Sequence, residues 1–275
     1  MTQQTQSLSV PTLTQKEFAQ IRDLIFRIAG ISLSSGKMHL VSGRLAKRLR
    51  YHDIDRFGEY FQFITAPGND AELQMAVDLL TTNETHFFRE PKHFAYLRDQ
   101  ILPQRRRGRM FRVWSAASST GEEPYSIAML LADCLNEEPW QVMASDISTR
   151  VLEQAASGMF SMARAQEIPR EYLNRFCRKG TGSSEGRFLI AKELRSRVNF
   201  QQINLNERFP SLGEFDVIFL RNVMIYFEQA TKQRILQRMA PILLDGGYLF
   251  IGHSETLNGV TDVFRSVQPA IYQKS

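Results

Sequence analysis

Little in this chain belongs to the usual apparatus of a secreted, membrane or metal-dependent protein. Of its 275 residues only two are cysteine, Cys134 and Cys177, and they stand far apart. They offer no disulfide framework and no Cys/His spacing that fits zinc. Both read as reduced, structural thiols of a cytosolic protein. No apolar run approaches the roughly 20 residues of a membrane span. Residues 2–9 are polar and lack the apolar core of a signal peptide. No internal repeat occurs, and no Ser, His and Asp set follows the logic of a hydrolytic triad. His253 follows a strand pattern without an evident partner and reads as structural. Glycine is also missing where a dinucleotide site would need it. The turn after the first strong strand pattern holds one glycine instead of G-x-G-x-x-G, which argues against NAD.

What is present is a large apolar fraction, 43%, and a modest net charge of +5. The first is ample for a buried core. The second fits acidic partners without proving any. The chain is organised around residues 111–126. Phe111 to Ala116 is apolar and β-prone, Ser118, Ser119, Thr120 and Gly121 form a small-residue turn, and Pro124 stands in the first turn of a helical pattern. Strand, tight turn and helix open a βαβ unit, and such sheets bind ligands at that turn. A ligand without phosphates fits Gly121 alone, and S-adenosylmethionine is the obvious one. A purely structural turn is the competing reading.

Ahead of this unit the chain is helical, polar and basic. The apolar spacing predicts helices over residues 14–29, 37–50, 57–65 and 71–80, with another from Pro91 to about residue 102. Residues 37–50 carry five Lys/Arg and no acid. Met38, Val41, Leu45 and Leu49 mark one apolar face of that helix, with Lys37, Arg44 and Arg48 on another side and Lys47 and Arg50 further round. This is either a solvated face or a docking surface for an acidic helix or nucleic acid. Residues 103–109 read as a basic linker with solvated Arg105, Arg106 and Arg107.

Beyond residue 111 strands and helices alternate. Strands are expected over residues 141–147, 198–203, 215–220, 248–252 and 270–273. A long helix is expected over residues 229–244, ended by Asp245, Gly246 and Gly247. Asp146 stands at a strand's carboxyl end, where an acid can take both ribose hydroxyls. Ser148 is the better-placed helix N-cap. Residues 179–194 interrupt the alternation and read as a small antiparallel excursion.

The motifs are similar to those of a known family. Thr81-Thr82-Asn83, Phe87-Phe88-Arg89-Glu90, Ser118-Ser119-Thr120-Gly121-Glu122-Glu123-Pro124-Tyr125-Ser126, Ala144-Ser145-Asp146-Ile147, Arg221-Asn222-Val223-Met224-Ile225-Tyr226-Phe227 and Gly252-His253-Ser254-Glu255 together resemble the CheR family of bacterial chemotaxis receptor methyltransferases. The likeness runs in order over residues 18–272.

The resemblance implies an all-helical N-terminal domain followed by an α/β, Rossmann-like methyltransferase domain with an inserted antiparallel β-subdomain. In this reading residues 1–12 are a flexible tail and 13–90 the helical domain. Residues 91–109 are a helix and linker, and 110–275 the methyltransferase domain with its insert at about 179–194. It implies S-adenosylmethionine as donor, S-adenosylhomocysteine as product, and no metal. Asn83, Thr85, Arg89, Glu123, Asp146, Asn204, Leu205, Arg221 and Asn222 would line the cofactor site. Arg89 and Tyr226 would lie close to the transferring methyl as the catalytic pair. Arg44, Lys47, Arg48 and Arg50 would dock the cytoplasmic methylation helices of chemoreceptors. The expected enzyme is a cytoplasmic monomer that binds no nucleic acid and does not insert into membranes. Glu84 departs from the family pattern, which usually has Leu there.

Overall fold

The computed structural model describes residues 12–275. The expected tail, residues 1–12, therefore lies outside the described residues except for Thr12. The described residues form two compact units that divide between Thr82 and Asn83.

The first unit is helical: α1 (Gln15–Ala29), α2 (Met38–Tyr51), α3 (Phe57–Thr65) and α4 (Asp70–Leu80). Helix α1 begins at a capping box between Thr14 and Glu17 and stops at Gly30, which takes a left-handed conformation (φ 72°). Phe18, Ile21, Leu24 and Ile25 of α1, Val41, Leu45 and Leu49 of α2, and Phe57, Tyr60 and Ile64 of α3 are buried, so the apolar period reads out directly as core. A carboxylate lies inside this unit. Glu72 accepts from Arg48 Nε at 2.8 Å and from the Tyr60 hydroxyl at 2.6 Å. His52 Nε2 stands 2.9 Å away.

The second unit opens with α5 (Pro91–Tyr96), which continues through tighter and wider turns to Gln104. There follow β1 (Phe111–Ser115), α6 (Glu122–Leu135), β2 (Trp140–Asp146), α7 (Thr149–Ser157), β3 (Met159–Ser161), α8 (Arg170–Phe176), β4 (Cys177–Lys179), β5 (Arg187–Ile190), α9 (Lys192–Arg195), β6 (Val198–Gln202), β7 (Phe215–Leu220), α10 (Gln229–Met239), β8 (Leu243–Ile251), β9 (Phe264–Gln268) and β10 (Ile271–Lys274). Seven strands make one sheet in the order β6-β2-β1-β7-β8-β10-β9. The first five run parallel, and β10 runs antiparallel to both its neighbours. The chain winds outward from β1 to β6, then returns to β7 on the other flank of β1. That reversal opens a crevice at the carboxyl ends of β1 and β7.

Four expectations need correction. The antiparallel excursion is wider than residues 179–194. Its sheet is β3-β5-β4, so it recruits Met159 to Ser161 from before α8. Asp245, Gly246 and Gly247 do not end a helix but lie inside β8, where the pairing with β7 shifts register. Helix α10 stops at Met239, ahead of Pro241, whose ring forbids a further α-helical turn. Arg105 is not a solvated linker charge. It is half-buried, donates to Leu102 O at 2.9 Å and reaches Glu138 at 3.5 Å. Finally, the break between units falls at Thr82/Asn83, so Asn83 to Glu90 go with the sheet rather than with the helices.

Candidate active site

The site begins where β1 and β2 end. Trp114 Nε1 donates to Ser145 Oγ, and Ser118 N to Ser145 O, at 2.9 and 2.8 Å, which ties the turn after β1 to β2. Gly121 closes that turn with φ 98°. A Cβ there would meet the Cβ of Ala155 in α7 at 2.8 Å, so the glycine is needed for backbone conformation and close packing alike. Asp146 lies at the end of β2 and is buried. One carboxylate oxygen accepts from Ser119 N at 2.9 Å and the other from Ser148 N at 3.0 Å. Asp146 thus bridges the two turns at the mouth of the crevice. Ser148 does precede α7, but its side chain makes no cap bond, and its buried hydroxyl has no protein partner. Asp146 instead bonds the amide of Ser148 itself, two residues on in the chain.

A second cluster forms where β7 and β8 end. The side chain of Arg221 is 1% exposed. It donates to Glu123 Oε2 at 3.0 Å and twice to Glu90 Oε2, at 3.1 and 3.3 Å, and also to the carbonyl of Arg89. Ser115 Oγ, the last residue of β1, donates to Glu123 Oε1 at 2.6 Å. Glu90 Oε1 accepts from His253 N at 3.1 Å and lies 3.4 Å from Asn222 Nδ2. One guanidinium therefore fastens α6, the segment before α5, and β7 to one another. Burial pushes the Glu90 carboxyl up, but Arg221 and the amide of His253 outweigh it, and the net shift is downward. At Glu123 burial wins over Arg221 and Ser115, and the net shift is upward. His93 is pushed down to about 3 by burial and by Arg221, so it is neutral at physiological pH. His253 has partners after all: its amide holds Glu90 and its ring meets the ring of His93 edge-on at 4.8 Å. Ligand atoms of Glu90, His93 and His253 lie within 4.8 Å of one another, close enough for a cation, yet Arg221 already supplies the positive charge at Glu90.

The fold brings together most residues singled out from sequence. Asn83 O accepts from Ser119 Oγ at 3.0 Å, which places Asn83 next to the turn that Asp146 holds. Glu123, Arg221 and Asn222 share the ionic cluster, whereas Arg89 lends it only its backbone carbonyl and its guanidinium donates to Glu84 O at 2.9 Å. Thr85 O accepts from Arg164 at 2.6 Å. Asn204 follows Ile203, whose amide donates to Asp146 O at 3.0 Å, but its side chain bonds within its own turn, to Glu207 and the Asn206 amide. Leu205 is buried and Tyr226 half-buried. Within the helical unit the four basic residues of α2 divide. Arg44 donates to Leu79 O and Thr81 O at 3.1 and 2.8 Å, and Arg48 is bound to Glu72, whereas Lys47 and Arg50 are exposed. Sequence reasoning passed over Glu90, His93 and Glu255 as site residues. Two of them sat in quoted motifs, but only the fold gives those carboxylates their partners.

The donor set fits a nucleoside carrying no phosphates. The turn has one glycine, packed onto α7, and an acid stands beside it at the place for ribose hydroxyls. Sheet order, turn and acid together define the S-adenosylmethionine-dependent methyltransferase class. The family models narrow this: "CheR methyltransferase, all-alpha domain" matches residues 16–81, and "CheR methyltransferase, SAM binding domain" matches residues 83–272. The chain belongs to the CheR methyltransferase family. It is 44% identical over 263 residues to chemotaxis protein methyltransferase 2 of Pseudomonas aeruginosa, covering 94% of this chain and 93% of that one. It is 44% identical over 276 residues to the chemotaxis protein methyltransferase of Salmonella typhimurium, covering 99% and 94%. The Escherichia coli chemotaxis protein methyltransferase is 43% identical over 266 residues, covering 96% and 92%.

Proposed function

We propose that this protein transfers the methyl group of S-adenosylmethionine to glutamate side chains on the cytoplasmic methylation helices of chemoreceptors, forming methyl esters. The observation that carries the reading is Asp146 bridging two turns at the mouth of the crevice, beside a turn with the single glycine Gly121, in a chain matched along its length by the two family models. When bound, the donor supplies a methyl carbon on a cationic sulfur, already activated for displacement. Asp146 would hold the ribose, with Asn83, Thr85, Asn204, Leu205 and Asn222 lining the pocket. Glu123, held by Arg221 and Ser115, would offer its carboxylate to the donor from the end of β1. Arg89 and Tyr226 orient the acceptor carboxylate. An acceptor glutamate has a reference pKa of about 4.3, so it is ionised at neutral pH and no base need remove a proton. The protein's task is alignment and exclusion of water, which can supply on the order of 7–11 kcal/mol. Lys47 and Arg50 on α2 offer the exposed positive charge for the acidic receptor helices.

The test uses a tritium-labelled methyl donor and a cytoplasmic receptor fragment, followed by alkali. An ester releases volatile methanol. Receptor positions carrying Glu are expected to be labelled and the same positions carrying Gln not, at a rate nearly flat between about pH 6 and 8. Label that survives alkali on the protein would exclude a glutamyl ester. A bell-shaped profile centred near 7 would require a titrating acid or base, with His253 first in line.

A further inference from the structure

The segment from Arg221 to Phe227 is irregular, and something outside it must fix its shape. Asn222 takes a left-handed conformation with φ 57°, outside the regions that regular structure uses. The amides of Asn222 and Ile225 face away from any ladder of the sheet. Both donate to one side chain: Asn222 N to Glu255 Oε2 at 2.9 Å and Ile225 N to Glu255 Oε1 at 3.2 Å. Glu255 Oε2 also accepts from Gly252 N at 2.6 Å, inside a turn closed by Glu255 N donating to Gly252 O at 2.9 Å. The two segments lie so close that a Cβ on Gly252 would stand 2.5 Å from Asn222 Nδ2 and 2.9 Å from Glu255 Oε2. One carboxylate accepting from the backbone amides of Gly252, Asn222 and Ile225, and interacting with that of Met224, thus replaces the hydrogen bonds that regular structure would have provided. It accepts from Ile225 N, one residue before Tyr226, on the turn that also includes exposed Ile225.

We infer that Glu255 is a positioning residue for methyl transfer: it sets the Asn222–Tyr226 turn, and through it the Tyr226 hydroxyl that orients the acceptor. The inference rests on the reading of Tyr226 proposed above. Both carboxylate oxygens of Glu255 are engaged by backbone amides, so its effect passes through the turn. Glutamine in its place keeps the volume but presents an NH2 to amides that need an acceptor. Aspartate keeps the charge and falls short by one methylene.

A double-mutant cycle on the full-length protein tests this, with single-turnover methylation of a receptor fragment as the readout. Glu255→Gln is expected to slow turnover at least 10-fold, and Tyr226→Phe to slow it on its own. The double variant should be little slower than the worse single, because a turn without its hydroxyl has nothing left to aim. Glu255→Asp should recover part of the loss and show the same non-additivity, and it serves for the cycle if the glutamine variant does not fold. Wild-type turnover in the position 255 variants, or losses that multiply in the double variant, would overturn the role of Glu255 while leaving Tyr226 in place. Wild-type turnover in Tyr226→Phe would overturn both that role and the reading of Tyr226.

Discussion

At the scale of single residues, carboxylates do most of the organising. Asp146, Glu90, Glu123 and Glu255 each join backbone or side chains from segments distant in sequence, and each is an acceptor of charge-assisted bonds. Asp146→Asn should weaken binding of S-adenosylhomocysteine while preserving the fold. The amide retains one acceptor for the turns but loses the charge that favours two hydroxyls, worth about 1.5–3 kcal/mol. Calorimetric titration should show affinity falling by at least 10-fold, and unchanged affinity would take Asp146 out of the ribose site. Glu72 makes a pH prediction. Burial pushes its carboxyl up, but bonds from Arg48, Tyr60 and His52 outweigh that and bring it down to about 2. A depressed folded-state pKa gives stability that is present above about 4.5 and lost as pH falls toward 2. Acid unfolding followed by circular dichroism should show that loss, on the order of 2 kcal/mol, in the wild type. Glu72→Gln should be less stable at pH 7 and lack this part of the pH dependence.

At the scale of elements, α2 separates into cations tied to other parts of the unit and cations turned to solvent, Arg50 of the latter bonding only within its own helix, to Ala46 O at 3.4 Å. Arg44 satisfies carbonyls at the end of α4, where the helix leaves acceptors without partners and favours a cation. Arg48 neutralises buried Glu72. Reversing Lys47 and Arg50 to glutamate should slow receptor methylation at low salt by 10-fold or more, through lost steering. The effect should shrink at higher ionic strength, and melting temperature and cofactor affinity should stay as they were. Arg44→Ala and Arg48→Ala should instead lower thermal stability, by roughly 1–3 kcal/mol each, since each leaves buried acceptors unpaired. Equal loss of stability from both pairs would refute the division. The fold of α2 was legible in sequence because its apolar period is local. Which of its cations stay exposed was not, because Glu72 and the end of α4 are contributed from elsewhere in the chain.

At the scale of the whole molecule, the proposed cofactor site lies entirely after Thr82 and the proposed receptor-docking charge entirely before it. The second unit has its own apolar core, from Phe87 to Ile271, with the stacked pair Phe219 and Phe250 at its centre (rings 4.6 Å apart). Residues 83–275 expressed alone should therefore bind S-adenosylhomocysteine with the affinity of the full chain and methylate receptor far more slowly. Cofactor affinity lost with the helical unit, in a fragment that remains folded, would show that the first unit completes the pocket. No described helix is long and apolar enough to cross a membrane.

Sequence alone determined the helical start, the strand–turn–helix over residues 111–126, β7, and the position of Asp146 at a strand's end. Each follows from short-range rules: helical period, β-prone runs, one glycine in a tight turn. Only the tertiary structure decided the rest. Residues 243–247 follow helix-like spacing and a Gly-Gly stop, yet pairing with β7 makes them strand. Met159 to Ser161 and Phe264 to Gln268 are too short or too polar to declare themselves, and become strands because β5 and β10 supply their partners. The ionic centre is the clearest case. Arg221 and Glu90 are 131 residues apart, and nothing local to either says that burial would force them to pair. That requirement arises only when folding removes water from both charges at once.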